Sequence, residues 1–463
     1  PVPDALQDPD TIKRTRALVG VHRPVTAHIL SYGLEATVPG ATRQHVGGRW
    51  LVVDGQDSSL ACTIRDFTHV PPIGLACDGG NVDIQLFKPG DKSRPAYRTY
   101  AGEAKTHEIW LALAGKPIAE ENAANLADLV DSPPRLNTAA LIRDTCVWGA
   151  VPEVGAGVYT AEYAMILERF LTPYYTNTPR GIRRCGGYPG NNFYWNRLHS
   201  IYLYYAMTGE RKWFDMAERA NRHYQDICTL NWWEDDSMLG VKIRNIDKFF
   251  RISVLIQNAH PLFDHWNLTG DSEALRLGRA NVDAVMREGK MLRESRGFCS
   301  RAQGWPIMNA MRGWQETGEQ RYLDHAKMLV DIALANMEDR RGAYLHVHGS
   351  HSHKGIVPFM TGILTTGLRQ YHYWTGDKRA AVALVQNAEA MFAETHDPAC
   401  SKTLPTIDYY YSPNPYLNGK TGTDPTAYLN PNIASAQAYA AVLMDDPQLA
   451  DIAWRTWQAY MQT

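Results

Sequence analysis

The sequence predicts a mainly α-helical chain, an (α/α)6 toroid of helical hairpins preceded by an antiparallel β-sandwich portion. Two observations carry that prediction. Short alternating strands run to about residue 115, and a helix–turn–helix pattern recurs through the residues beyond 200.

The strands come first. "VTAHILSYGLEATV" (25–38) and "HVGGRWLVVDG" (45–55) alternate apolar and polar residues and then meet turn residues. "NVDIQLF" (81–87), "AYRTYAG" (96–102) and "THEIWLALAG" (106–115) do the same, with "DGG" and "KPGDK" as punctuation. Period-two runs bounded by Gly, Pro and Asp are strands, and several at short spacing form antiparallel sheets of a sandwich. The segment "KPIAEENAANLADLVDSPP" then predicts a helix that closes at Pro133-Pro134. The domain reading is thus 1–115 β-rich, 116–135 a linker helix, and 136–463 the helical toroid.

The helical part repeats. "YYAMTGERKWFDMAERANRHY" begins at Tyr204 and "HWNLTGDSEALRLGRANVDAV" at His265. "GWQETGEQRYLDHAKMLVDIA" begins at Gly313 and "YHYWTGDKRAAVALVQNAEAM" at Tyr371. In each, an apolar helix ends at Thr-Gly-acidic and an amphipathic helix follows. Glycine supplies the left-handed residue that ends a helix, and the acidic residue favours the next helix N-terminus. The turn recurs roughly every 55 residues, which gives about six hairpins in the helical part. In the last unit Asp445-Asp446-Pro447 replaces the turn. An open solenoid is the competing architecture. The long segments between units, rich in Gly, His, Trp, Tyr and Asn, weigh against it.

Composition narrows the function. Of 463 residues, 44% are hydrophobic and 21% charged, the balance of a globular chain. A net charge of −2 offers no basic excess for a phosphate backbone, so nucleic acid is not an expected partner. No apolar run reaches the ~18 residues of a membrane span. No signal peptide is visible after Pro1-Val2-Pro3. Seven scattered cysteines form no CxxC, which fits isolated thiols, with one disulfide an alternative. Phosphate-cradling glycine motifs and GxSxG are absent. Many of the 13 Trp and 24 Tyr fall in loops. Their rings and polar handles match the C–H faces and hydroxyls of sugars; core packing is the alternative use.

If the short turns lie at one end of the hairpins, the long segments gather at the other, where loops on a rigid scaffold carry function. Five segments stand out: 183–200, 231–251, 294–306, 346–358 and 406–420. His346, His348, His351 and His353 with Lys354 form the sharpest cluster. Acid–base or substrate contact, metal binding and a solvated loop are all open for it, although no carboxylate with ligand spacing accompanies it. "RNIDKFFR" offers Arg244, Asp247, Lys248 and Arg251 as a cationic site or as an intrahelical ion-pair ladder. Asn191, Asn192, Tyr194, Trp195, Trp305, Asp408, Tyr409 and Tyr410 are the other substrate-facing candidates. Tyr202, Tyr204 and Tyr205 read as helix core, and His199, His260 and His265 as satisfied core histidines. Lys105 and His107, two apart on one strand, share a face that is either a polar sheet surface or part of the site.

These residues resemble a known family. The strand "GEAKTHEIWLAL" (102–113), after "CTIRDFTHVPPIGLACDGGNVDIQLFKP", is similar to the end of the N-terminal β domain of exo-rhamnogalacturonan lyase-like proteins. The helical part with its Thr-Gly-acidic turns resembles their (α/α)6 domain, and the likeness covers most of the chain. Family members carry a fuller N-terminal β domain and a β-rich C-terminal part, so the resemblance implies a shortened relative or a fragment. It also implies a polysaccharide lyase acting by β-elimination on a uronic-acid-containing, rhamnogalacturonan-like glycan.

Elimination needs a group that neutralises the carboxylate, a base for the C5 proton and an acid for the leaving oxygen. Arg244 or Arg301 is the candidate neutraliser. His107 or a histidine from His346 to His353 is the base, and Tyr194 or Tyr409 the acid. No cofactor is called for, though a structural Ca2+ would be compatible. The expected partner is an acidic polysaccharide or oligosaccharide, with neither nucleic acid nor membrane. The substrate class places the protein outside the cell or in the periplasm, or in the cytoplasm if it takes imported oligosaccharides. Two rivals stand beside this reading. One is a glycoside hydrolase using paired carboxylates among Glu234, Asp235, Asp236, Asp247 and Asp408. The other is a non-catalytic glycan-binding relative.

Overall fold

The computed structural model describes residues 33–37, 43–47, 49–54, 58–67, 73–78, 81–86, 102–155, 165, 196–233, 238–241, 258–295, 299–337, 342–346, 355–397, 406–407 and 431–461. The described residues are mostly helical, with a set of short strands ahead of the helices. The chain divides into two compact units. The first is Pro1–Arg251 with Asp264–Leu277, and the second is Ile252–Phe263 with Gly278–Thr463.

The first unit opens with seven strands: β1 (Gly33–Thr37), β2 (Arg43–Gly47), β3 (Trp50–Asp54), β4 (Ser59–Ile64), β5 (Gly74–Asp78), β6 (Asn81–Gln85) and β7 (Ile109–Ala114). They form two sheets, ordered β2-β3-β4-β7 and β1-β5-β6. The four-stranded sheet is antiparallel throughout. In the other, β1 pairs with β5 in parallel, a departure from the purely antiparallel expectation. A parallel pair needs a long crossover, and here β2, β3 and β4 of the opposite sheet supply it. The "HVGGRW" stretch, one alternating run in the sequence, is a tight hairpin. Gly47 pairs with Trp50, so only two residues make the turn.

Alternation sets the two faces of β3 and β4. Leu51, Cys62 and Ile64 point into a core shared with Phe67, Ile73 and Leu75 between the sheets. Trp50, Val52 and Ala61 point the other way, onto Ala123 and Ala127 of helix α1 (Glu120–Asp131). The predicted linker helix therefore covers a sheet face. Arg49 fastens it by donating to Asp128 and Asp131. After α1 come α2 (Ala139–Thr145), α3 (Arg197–Thr208) and α4 (Arg211–Asp226). Glu218 of α4 accepts hydrogen bonds from Arg65 at 2.8 Å and Arg135 at 2.6 Å, tying the strands to the hairpin.

The remaining hairpins are α5–α6 (His260–Thr269, Ser272–Ser295), α7–α8 (Ser300–Thr317, Gln320–Met337), α9–α10 (Pro358–Thr375, Lys378–Thr395) and α11–α12 (Pro431–Met444, Pro447–Met461). The two-residue strands β8 (Leu345–His346) with β9 (Gly355–Ile356), and β10 (His396–Asp397) with β11 (Thr406–Ile407), lie in the connections. In the second unit the leading helices lie side by side, α7 on α9 and α9 on α11, while α8 and α10 pack behind them. The core between these layers draws Ile307 and Met311 from α7, Leu329 and Val330 from α8, Leu364 and Leu368 from α9, and Ala383 and Leu384 from α10. Small residues set the closest approach. A Cβ on Gly304 of α7 would lie 2.5 Å from the Ile363 carbonyl oxygen of α9.

The repeated turns share one geometry. Gly209, Gly270, Gly318 and Gly376 have φ of 69°, 72°, 69° and 68°. In each turn the threonine hydroxyl donates to the carbonyl four residues back, at 2.6 to 2.9 Å. It also accepts the backbone N–H of the acidic residue two positions on. The carboxylates of Asp271 and Asp377 then cap the following helix, accepting from the N–H of Glu273 and Arg379. In the last hairpin Asp445 takes the left-handed conformation at φ 54° and Asp446 caps α12. A Cβ at Gly318 meets open space, so Gly318→Ala carries only the left-handed backbone cost of ~1 kcal/mol. Urea unfolding should show that loss with an unchanged m-value.

Candidate functional site

The described chemistry concentrates in the first unit, on the leading turns of α3 and on α5. His199 stands in the first turn of α3, directly after the Gly-, Asn- and aromatic-rich segment 183–195. Asn196, at φ 58°, turns the chain into that helix. His199 Nδ1 lies 2.6 Å from Asp264 Oδ2. The histidine side chain is 16% exposed and the aspartate 0%. An ionised carboxylate only accepts, so the contact fits the tautomer that carries its proton on Nδ1, in which the second ring nitrogen is Nε2. Trp148 meets the His199 ring edge-on at 6.4 Å and the Tyr202 ring at the same distance.

One helical turn below, a second chain of polar groups runs from the fully buried Tyr202, Asn221 and His265 to the partly exposed Asp271. Tyr202 Oη lies 3.0 Å from His265 Nδ1 and accepts from Asn221 Nδ2 at 3.1 Å. His265 Nε2 is 3.3 Å from Asp271 Oδ2, and Arg222 stands 3.7 Å from the same oxygen. Burial pushes the Tyr202 phenol well above its usual range, so it stays protonated. Burial works to raise the Asp271 carboxyl too. The hydrogen bond and charge of His265, with Arg222 and the Glu273 N–H, outweigh it and hold that carboxyl well below the usual carboxylate range. The arrangement orients groups: Asp264 fixes the ring of His199, and the Tyr202–His265–Asp271 chain fixes the register of α3 against α5.

Of the residues expected from sequence, Lys105, His107, Arg301 and Trp305 are described, as is the backbone of His346 in β8, where it pairs with Gly355. The strand expected over 102–113 begins only at Ile109, so Lys105 and His107 precede β7 outside any strand. That segment is held by α4 instead of by a sheet. Ala104 N–H donates to the Asp226 carbonyl, and Thr106 N–H and hydroxyl both donate to the Asp226 carboxylate. Both ring nitrogens of His107 are out of solvent. Arg301 and Trp305 lie one turn apart near the start of α7, in the second unit, and both are buried. Tyr194, Arg244, His351, His353 and Tyr409 lie outside the described residues, as do Asn191, Asn192, Trp195, Asp247, Lys248, Lys354, Asp408 and Tyr410, and so does His348. His260, His265, Tyr202, Tyr204 and Tyr205 are core, as expected. Among the described residues, no group of three or more His, Cys, Asp or Glu is arranged to hold a metal ion. Cys62, Cys146, Cys228 and Cys299 form no disulfide with one another. No described helix is long and apolar enough to cross a membrane.

Burial, with a smaller contribution from the charge of Lys105, holds the His107 imidazole down to about 4. In the unfolded chain the ring returns to ~6.5, so the unfolded state takes up a proton first as pH falls. The contribution of neutral His107 is complete above ~6.5 and is lost as pH falls through about 4, amounting to ~1–2 kcal/mol after solvent screening. Denaturation near pH 7 and near pH 4.5 should show a smaller acid loss for His107→Gln than for the parent chain. Equal losses would assign the acid sensitivity to other groups.

No protein-family model matches the sequence, and no curated protein matches it significantly. Several solved structures resemble it in shape at low identity. A polysaccharide lyase shares 13% identity over 64% of this chain and 82% of its own, with a TM-score of 0.45. A glycosyl hydrolase family 88 protein from Bacteroides vulgatus shares 12% over 64% and 84%, with a TM-score of 0.45. An α-1,6-mannanase from Salegentibacter shares 12% over 65% and 84%, with a TM-score of 0.40.

Proposed function

We propose that the chain is a glycan-processing enzyme on an (α/α)6 toroid, a polysaccharide lyase that opens a uronic-acid-containing glycan by β-elimination. The observation that carries the proposal is the His199–Asp264 pair. A partly exposed imidazole lies with Nδ1 2.6 Å from a fully buried carboxylate at the first turn of a helix; with the proton on Nδ1, Nε2 is the nitrogen assigned as base. That is the group a C5–H abstraction needs. The family resemblance of the 102–113 segment and the repeated turns supplies the reaction class. His199 takes the place of His107 and of the His346–His353 run as the proposed base; the nitrogens of His107 are out of solvent, and His348, His351 and His353 lie outside the described residues.

The step balances within the substrate. His199 Nε2 takes the C5 proton, and the electron pair forms the C4–C5 double bond. The C4–O bond breaks, and the leaving oxygen takes a proton. Arg244, in the same unit, is the proposed neutraliser of the uronate carboxylate. Tyr194, five residues before His199, is the proposed acid. No water enters the products. Mass spectrometry of products from acidic oligosaccharides tests this. Elimination gives fragments whose masses sum to that of the substrate. Fragments that together carry one added water would show hydrolysis and reject the proposal.

A further inference from the structure

The α11–α12 hairpin carries a groove that the reaction proposed above does not use. It encloses about 840 Å³, within the ~300–1,000 Å³ range of small-molecule sites. Trp454 and Trp457, one turn apart on α12, line it and are partly exposed. Its floor is mostly alanine from both helices. Small floor residues leave depth for a flat ring to lie against the indoles. Ser435 stands toward the α11 start, and Asp445 and Asp446 close the hairpin end. Asp446 uses Oδ1 to cap α12, accepting from Gln448 and Leu449. Asp445 is exposed at the turn.

An aromatic pair beside hydroxyl and carboxylate groups matches a pyranose, which offers an apolar C–H face and donating hydroxyls. No Lys, Arg or His is among the described lining residues; the Arg369 guanidinium stands behind the Ser435 hydroxyl, to which it donates at 2.8 Å, while Asp445 and Asp446 at the hairpin end would repel a uronate. We propose that this groove binds a neutral oligosaccharide, as a site distinct from the His199 centre. The inference rests on the reading of the chain as glycan-acting and is independent of which bond it breaks.

Tryptophan fluorescence and calorimetry with neutral tetrasaccharides of glucose, mannose and galactose, and with tetragalacturonate, would test it on the His199→Ala chain. One neutral tetrasaccharide should bind and perturb the indole emission, with tetragalacturonate bound at least about tenfold more weakly at the groove. Trp457→Ala should weaken neutral binding about tenfold or more, with Trp457→Phe largely restoring it. Asp445→Asn should narrow the gap between neutral and acidic ligands. The proposal is overturned if no neutral tetrasaccharide binds up to ~10 mM, or if binding is unchanged in both Trp454→Ala and Trp457→Ala. It is overturned equally if these variants abolish a concentration-dependent dimer, because a second copy then covers the groove. Groove binding without elimination on any substrate would reject the lyase reading alone. Elimination with no groove binding would reject this inference alone.

Discussion

His199→Ala should abolish turnover, with a loss of about 10³-fold or more in kcat, the magnitude of removing a positioned general base. Substrate affinity should change far less, because the ring is assigned to the reacting proton. Asp264→Asn should cost about 10²–10³-fold by a different route. Its amide can donate to Nδ1 and turn the lone pair away from the substrate. Asp264 is 0% exposed and touches no solvent, so this loss would mark a positioning residue acting through His199. Thermal unfolding of both variants separates the readings. A kcat loss with a nearly unchanged Tm for His199→Ala supports catalysis, whereas a collapse of Tm with proportional loss of activity marks a structural pair.

Gly304→Ala is the stability counterpart. An added methyl at Gly304 would meet the backbone of Ile363 and Leu364, at 2.5 to 2.7 Å, and Gly367 on α9 approaches the Gly304 carbonyl in turn. Backbone cannot rotate aside as a side chain can, so α7 and α9 must separate, at a cost of ~3 kcal/mol or more. The helical gain of alanine over glycine, ~1 kcal/mol, offsets only part of it. Gly318→Ala, with open space around its Cβ, should lose far less. Urea denaturation of the two variants side by side checks the ordering. A similar loss in both would mean that the α7–α9 crossing yields easily.

What could be read from sequence was what local chemistry encodes. The Thr-Gly-acidic turns were legible because a left-handed glycine and a capping carboxylate act within a few residues. The threonine hydroxyl, bridging the last helical turn to the acidic N–H, completes the same motif. The faces of β3 and β4 followed from alternation. Alternation says nothing about which strand is the neighbour, so the parallel β1–β5 pairing was invisible, and the "VGGRW" hairpin hid inside a continuous run. His107 looked like a strand residue because its stretch alternates, but the neighbouring Ala104 and Thr106 bond to Asp226 at the end of a helix instead of to a strand. The His199–Asp264 pair spans 65 residues, and no spacing rule connects them. Only packing of the described α3 and α5 sets a histidine read as core against a buried carboxylate.

The most direct measurement of the central claim is the ultraviolet absorbance of the unsaturated uronate that elimination creates. It would be followed during incubation with acidic polysaccharides that include rhamnogalacturonan, for the parent chain and for His199→Ala. The account predicts a rising signal for the parent chain and a flat one for the variant. New reducing ends with no rise in absorbance, or a rise undiminished by His199→Ala, would contradict it.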